Sequence, residues 1–514
     1  MDSVEMDPEH THMNQPVLVA GAGPVGLTMA MALKRRGVDV RVIDKSPARS
    51  DKSKALVLWP RTLELLEIQG CAPSFIAAGI RGRGARIFAE NNLLAHVRFD
   101  IARSAYDYAL MIPQSETERV LEEQLADLGV RVERRVELLS FKDNGDSVGA
   151  VLRHADGRDE TFDASYLCGC DGAHSTVRHG LGVQFQGSTM PSDWALGDLY
   201  IEGDIPQDEL TICWMPDGVL AMFPMGSKRF RVIGDVGTST LPAPPTPTLE
   251  QIQEMLDTRG PKGLRAYDPF WLGGFRINER KVKDYRQGRV FLSGDAAHVH
   301  SPAGGQGMNT GMQDAFNLAW KLAMVWHGHA AATLLDSYSA ERSAIGDQVL
   351  RNAGNMTKIA LLRNPVLREL RNLAAGTLSR IPALRQRMVD QLTELDLHYR
   401  ENSPLTQSPR GAAERPLPGE RAPDIGLKGT DDEVRNLYAL LATGRFVVLS
   451  VDAPAVDLPL ATRSIAVAAA ASANPAYEAG HVYLIRPDAY VALSARAGDD
   501  ATIIATLERL EAGT

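Results

Sequence analysis

Cysteine is scarce: four in 514 residues, Cys71, Cys168, Cys170 and Cys213, with no CxxC pair among them. That excludes a disulfide-stapled secreted scaffold and a zinc ribbon, and it fits a reducing cytoplasm. Long apolar runs are missing as well. The longest stretch of small apolar residues, Ile465 to Ala471, falls far short of the roughly 20 residues that cross a bilayer, so neither a membrane span nor a membrane partner is expected. No Lys/Arg cluster sits on a recognisable motif, and the formal net charge is −9. An acidic chain of this kind is not built to follow a phosphate backbone, so nucleic acid is not expected as a partner. The first residues, MDSVEMDPEHTHM, lack the basic and apolar regions of a secretion signal, and 1–13 are expected to form a disordered tail.

What is present is a globular composition. Hydrophobic residues make up 44% and charged residues 23%, which argues against disorder and fibres, and the length calls for two or three domains. From Pro16 the chain reads as strand (17–20), glycine turn, apolar helix (27–36), Gly37 and a second strand (38–44), the opening of a βαβ unit. An amphipathic helix is predicted over 113–128, with alternating strands over 130–141 and 149–154 and a turn at Asp156-Gly157. Residues 211–236 form short aromatic- and Met-rich runs split by Pro216-Asp217-Gly218 and Gly226-Ser227-Lys228, the pattern of an antiparallel meander. A proline-rich connector (241–248), a buried strand (289–293), a helix (310–326) and amphipathic helices broken near Pro365 and Pro382 follow. After a polar, proline-rich linker, strands at 446–451 and 481–493 and helices near 463–471 and 501–511 suggest a small α/β unit.

Gly21-Ala22-Gly23-Pro24-Val25-Gly26 matches GxGxxG. In this motif the first glycine makes a tight turn, the second lets backbone approach a pyrophosphate, and the third permits close helix–sheet packing. Pro24 suits the first helical turn, and the helix dipole favours phosphate. Asp44 ends the second strand, where a carboxylate accepts ribose hydroxyls. The motif alone does not separate NAD from FAD. A second stretch, Gly294-Asp295 through Pro302, Gly305, Gly307, Met308 and Asn309, places a glycine-rich loop between a buried strand and a helix. Backbone donors gathered at Met308 and Asn309 suit a delocalised anion such as reduced flavin.

This second stretch, GDAAHxxxPxxGQGxNxG, resembles a FAD motif of the class A flavoprotein aromatic hydroxylases, the family of para-hydroxybenzoate and phenol hydroxylases. Tyr166 to Arg178, with Asp171-Gly172 inside it, resembles the same family's DG motif, which serves FAD and the reduced nicotinamide. The resemblance implies a Rossmann-like FAD-binding domain with an inserted β-sheet substrate domain. It implies a monooxygenase that hydroxylates a phenolic or polycyclic aromatic compound through a flavin C4a-hydroperoxide, using NAD(P)H and O2. By position, Gly21, Gly23, Pro24, Gly26, Asp44 and the adjoining Lys45 would hold the ADP half, and Asp295 the ribityl chain. Gln114 would reach the flavin, and Pro302 to Asn309 would lie against the isoalloxazine. Lys54 stands where the family often has arginine; it keeps the charge at a pyrophosphate contact but loses the bidentate fork. No residue is assigned to activate the substrate, and a homodimer is compatible with the resemblance.

The terminal segments RAPDIGL and VYLIRPDAYVAL resemble the thioredoxin-like domain of phenol-hydroxylase-type members, with Ala489 in place of a customary turn glycine. Lacking CxxC, that domain would be structural or interfacial. The implied division is FAD-binding domain 14–77, 105–183 and 282–400, substrate domain 78–104 and 184–281, linker 401–423 and thioredoxin-like domain 424–514. His298 and His300 have the spacing of a metal pair but no third ligand, so no metal site is expected. Trp214, Met215, Met222, Phe223 and Met225, and also Tyr106 and Tyr108, are candidates for lining a substrate cavity or for plain core packing. Other readings are a non-catalytic FAD-fold binding protein, or a flavin enzyme of another type such as an oxidase or halogenase. The halogenase WxWxIP signature is missing.

Overall fold

The computed structural model describes residues 15–90, 92–406, 415–427, 436–459 and 463–512. The expected N-terminal tail and part of the expected linker lie outside them. The first layer is a six-stranded sheet in the order Arg286–Gln287, Val290–Leu292, Leu167–Gly169, Val17–Ala20, Val40–Asp44, Val132–Arg134. All its neighbours are parallel except the first pair. The central strands are continuous apolar runs, buried on both faces as parallel strands must be. The helix Pro24–Lys34 packs against the helix Gly307–Trp326 at close range, because a Cβ on Gly311 would stand only 2.7 Å from Val25 Cγ2.

The second layer is an eight-stranded sheet in the order His298–Val299, Arg265–Lys281, Gln186–Glu202, Arg229–Thr238, Gly218–Pro224, Glu209–Met215, Gly84–Ala89, Asn92–Arg98. The meander appears as the three strands between 209 and 238. Sequence reading missed the two 17-residue strands, Gln186–Glu202 and Arg265–Lys281, which run antiparallel from the flavin layer into this sheet. Their registers shift at Thr189/Asp193 and Asp198/Tyr200, and such bulges interrupt the alternation by which a strand is recognised. His298–Val299 joins this sheet, so the segment after 282 serves both layers.

The C-terminal unit is a four-stranded sheet, Ile465–Ala469, Val447–Val451, His481–Ile485, Val491–Arg496, with the helix Asp500–Ala512. Here the structure corrects the reading of 463–471: it is no helix but the strand Ile465–Ala469, parallel to Val447–Val451. Its alanines favour a helix by propensity, and a partner strand beside them overrides that preference. Ala489 takes φ +55, the left-handed turn conformation that glycine adopts more easily.

Candidate active site

The centre of the sheet brings the motifs together. Ala20 pairs with Gly169, and Gly169 with Leu292, so the chain leaves three adjacent parallel strands at one carboxyl edge. Open α/β sheets form their ligand crevices at this edge. Cys170 N donates to the Ala20 carbonyl at 2.8 Å and Ser293 N to the Gly169 carbonyl at 3.0 Å. The guanidinium of Arg178, buried behind Asp171, donates to the Ala296 carbonyl at 3.2 Å and ties the second and third segments together.

Each glycine of the first turn meets a different surrounding. Gly21 has φ +103, and a Cβ there would stand 2.4 Å from the Cys170 carbonyl oxygen. A Cβ on Gly26 would stand 1.9 Å from the Gly21 carbonyl oxygen, whereas one on Gly23 would meet nothing within 4 Å. Of the three, only Gly23 has open space on the side where a Cβ would project. Pro24 opens the helix, whose N-terminus carries neither a side-chain cap nor an acid in its first turn, leaving its dipole and amides to an anion. Asp44 accepts from Ala22 N and from Ser46 N, both at 2.7 Å, which fixes its carboxylate at the lip of the turn. Lys45 is exposed beyond it.

Asp295 stands exposed on the short turn Gly294–Ala296. Partial desolvation by its neighbours raises its pKa, and the nearby His298 and Lys54 oppose that rise. Asp171 accepts from Val177 N at 3.1 Å through one carboxylate oxygen, while the other is buried without a partner. In the loop that follows, Gly304 and Gly305 hold φ +89 and +64. Asn309 locks this loop to the strand Val57–Leu58: its carbonyl accepts from Trp59 N at 2.8 Å, and its amide donates to the carbonyls of Val57 and Gly305. Trp59 Nε1 donates to the Gly304 carbonyl at 2.9 Å. No side chain caps the helix that begins at Gly307, so the first-turn amides of Gly307, Met308 and Asn309 point outward as donors.

Between this loop and the eight-stranded sheet lies a cavity of about 360 Å³. Its walls are Val57 and Trp59 on one side, Trp194, Trp214, Phe223 and Ile233 on the sheet, and Pro302 to Gln306 below. Among the described residues that line it, none is ionisable.

Residues 14–353 match the FAD binding domain family, and residues 415–511 match the aromatic-ring hydroxylase C-terminal domain. The chain belongs to the FAD-dependent aromatic-ring hydroxylases. It is 35% identical over 485 residues to an uncharacterized aromatic compound monooxygenase of Bacillus subtilis, covering 93% of this chain and 94% of that one. It is 38% identical to the 6-methylpretetramide 4-monooxygenase of Streptomyces rimosus, covering 78% and 73%. Among solved structures, the anhydrotetracycline hydroxylase of Streptomyces rimosus superposes with a TM-score of 0.75 at 30% identity, covering 94% of this chain and 96% of that one.

The residues of the hydroxylase fit its FAD. The first glycine turn packs against both other segments: a Cβ on Gly21 would stand 2.9 Å from Asp171 Cα, and one on Gly294 2.7 Å from Val25 Cγ2. Gln114 is placed differently from the rest. Its amide accepts from Ala55 N at 3.1 Å and donates to Glu118 at 2.9 Å, so it braces the segment that carries Lys54. Lys54 itself is exposed, and its carbonyl accepts from Arg231 at 2.9 Å.

Arg231, buried and paired with Asp198 at 2.7 Å, is a clamp that sequence reading missed, as it missed Trp59. In the sequence it shares the strand Arg229–Thr238 with Arg229 and Asp235, and nothing in that spacing singles it out. Of the aromatic and Met candidates, Trp214 and Phe223 line the cavity, whereas Met222 belongs to the core of the sheet layer. Tyr106 and Tyr108 stand outside it, Tyr106 donating to Glu67 at 3.0 Å and Tyr108 lying under the Arg81 guanidinium. His298 pairs with Asp314 at 2.8 Å. His300 donates Nδ1–H to the Ser301 carbonyl, and burial pushes its pKa down to about 4, so the ring is neutral.

Proposed function

We propose that this hydroxylase inserts one oxygen atom of O2 into an uncharged phenolic or polycyclic aromatic compound, with NAD(P)H as reductant. The balance is substrate C–H, O2, NAD(P)H and a proton giving substrate C–OH, NAD(P)+ and water. The observation that carries this reading is the cavity against residues 302–306: about 360 Å³, walled mainly by indole, phenyl and aliphatic groups, with the uncharged amides of Gln306, Asn352 and Gln391 among them. A volume of that order holds an aromatic ring system. A buried carboxylate would find no cation there, and an unpaired charge in such walls is strongly disfavoured. Relatives named for pentachlorophenol and for anhydrotetracycline support an aromatic substrate.

FAD, when bound, supplies electron transfer from the nicotinamide and activation of oxygen. The protein's own part is positioning. Gly21 to Gly26 and Asp44 hold the nucleotide end, and Asp295 and Asp171 accept hydroxyl or amide protons from the cofactor. The amides of Gly307 to Asn309 offer fixed donors where negative charge builds up on the ring. Trp59 and Asn309 keep the loop in place, and the apolar walls exclude water from the reacting carbon.

With no ionisable side chain on the cavity wall, the substrate enters with its hydroxyl protonated, and that neutral hydroxyl, whose free pKa is about 10 for an unsubstituted phenol, activates the ring by electron donation. Substrate-stimulated NAD(P)H oxidation and label from 18O2 in the product test the reading over a phenol panel. The apparent pKa of kcat/KM should move from substrate to substrate with the phenol's acidity. One protein-borne pKa common to all substrates, or a preference for carboxylated monocycles, would overturn it.

A further inference from the structure

The helix Pro365–Leu378 is turned inside out. A surface helix normally buries its apolar face and exposes its charges. Here Val366, Leu370 and Leu373, at i, i+4 and i+7, are 73%, 60% and 70% exposed. The opposite face is cationic and packed inward. Arg371 is buried, lies 4.6 Å over the Trp214 ring and donates to the carbonyls of Ile359 and Ala360 at 3.2 Å each. Arg368 lies 3.6 Å from Glu90. The apolar stripe continues through Leu378 and Ile381 to Leu384, each at least 39% exposed, on the start of the helix Pro382–Leu392. Packing of the arginine face against the strand layer thus forces the leucines out, and a contiguous apolar patch of this kind marks a contact surface.

We infer that this helical pair is a docking surface for an anionic lipid bilayer, lying in the plane of the headgroups. Charge selects that occupant. Between Met356 and Val389 stand seven Lys/Arg and one acid, in a chain whose net charge is −9. Lys358, Arg380 and Arg387 are exposed around the patch, as is Arg363, which also lies 3.4 Å from Asp235. Aliphatic residues ringed by cations fit the interface of anionic lipids. A second copy of the chain related by a two-fold axis would set like charges against each other across the same face.

Continuity with the cavity supports the same occupant. Met356 and Ile359, 38% and 47% exposed beside the patch, also line the cavity, as do Met388 and Leu392 from the second helix. An apolar substrate dissolved in the bilayer would pass from the lipid to the cavity mouth without crossing water. That delivery step rests on the reading of the cavity as the substrate site; the lipid contact does not.

The test is flotation of the FAD-loaded protein with vesicles of phosphatidylglycerol and phosphatidylcholine, compared with phosphatidylcholine alone, at low and high salt. Wild type should partition onto the anionic vesicles, less so at high salt, and Leu370→Glu/Leu373→Glu should lower partitioning by about tenfold or more. Both positions are exposed, so the variant should keep its flavin absorbance and melting temperature. Wild type that stays in solution overturns the inference, as does a double variant that binds vesicles like wild type. A variant whose particle mass halves while its vesicle binding is unchanged assigns the face to a second copy. Flotation needs no turnover, so its failure leaves the hydroxylase reading standing, and the reverse holds for the oxygenation assay.

Discussion

At the scale of single residues, the last two glycines of the first turn separate folding from binding. A methyl on Gly26 would stand 1.9 Å from a backbone oxygen, so Gly26→Ala strains the turn itself, at a cost of about 1–3 kcal/mol in unfolding experiments. Gly23 has open space and an extended backbone, φ −79 and ψ −175. Gly23→Ala should therefore change stability by no more than about 1 kcal/mol, while FAD titration shows an affinity at least about tenfold weaker. Equal loss of stability in both variants would refute the distinction. Glu394 makes a separate prediction. Burial raises its carboxyl from 4.5 to about 8, opposed by hydrogen bonds from Thr310 and Gln313 in the first turns of the flavin-loop helix. Between pH 4.5 and 8 the unfolded chain loses this proton and the folded chain keeps it, so stability falls as pH rises through that window. Glu394→Gln removes the effect, and its melting temperature should gain on wild type from pH about 5 to 8. Parallel curves would show that the carboxyl ionises freely. The glycines were legible in the sequence because they answer backbone geometry, which is local. Glu394 was not, because its neighbours Thr310 and Gln313 arrive from far along the chain.

At the scale of elements, strand and helix are legible where one face is buried and the period is unbroken. The amphipathic helix expected at 113–128 is Gln114–Asp127, and the breaks at Pro365 and Pro382 are the first residues of their helices. The long strand Gln186–Glu202 escaped because it changes environment along its length, exposed at its start and buried from Ser192 to Leu199. Arg265–Lys281 escaped because it is exposed or half-exposed along its length, with only Ala266 and Ile277 buried, so no alternation marks it. Ile465–Ala469 was read as a helix because small residues take whichever partner the fold offers. The meander strand Gly218–Pro224 presents Ala221 to the cavity. Ala221→Phe should narrow the cavity, raise KM for larger ring systems and leave FAD absorbance unchanged. Unaltered kinetics across the panel would place the substrate elsewhere.

At the scale of the whole molecule, a buried ionic network joins the C-terminal sheet to the flavin layer. Arg486 donates to Glu341 at 2.6 and 2.9 Å and to Asp488 at 2.6 Å, and Lys321, from the helix that begins at the flavin loop, reaches Glu341 at 2.7 Å. Burial pushes Lys321 down to about 8 against the pull of Glu341. Arg486→Met leaves Glu341 and Asp488 short of a cation inside the protein. It should cost about 3–5 kcal/mol in urea unfolding, and an unchanged midpoint would show the network to be dispensable. The described residues include no helix long and apolar enough to cross a membrane, yet they carry the exposed leucine stripe of Pro365–Leu378. The sequence by itself determined the nucleotide turn, the flavin loop and the family, since each depends on residue types at fixed short spacing. Only the tertiary structure decided that the Asp171 and Asp295 segments pack against the first glycine turn, that no ionisable residue lines the cavity beside the 302–306 loop, and that the leucines of one helix point outward. Those facts depend on which distant surfaces pack together, and spacing along the chain does not record that.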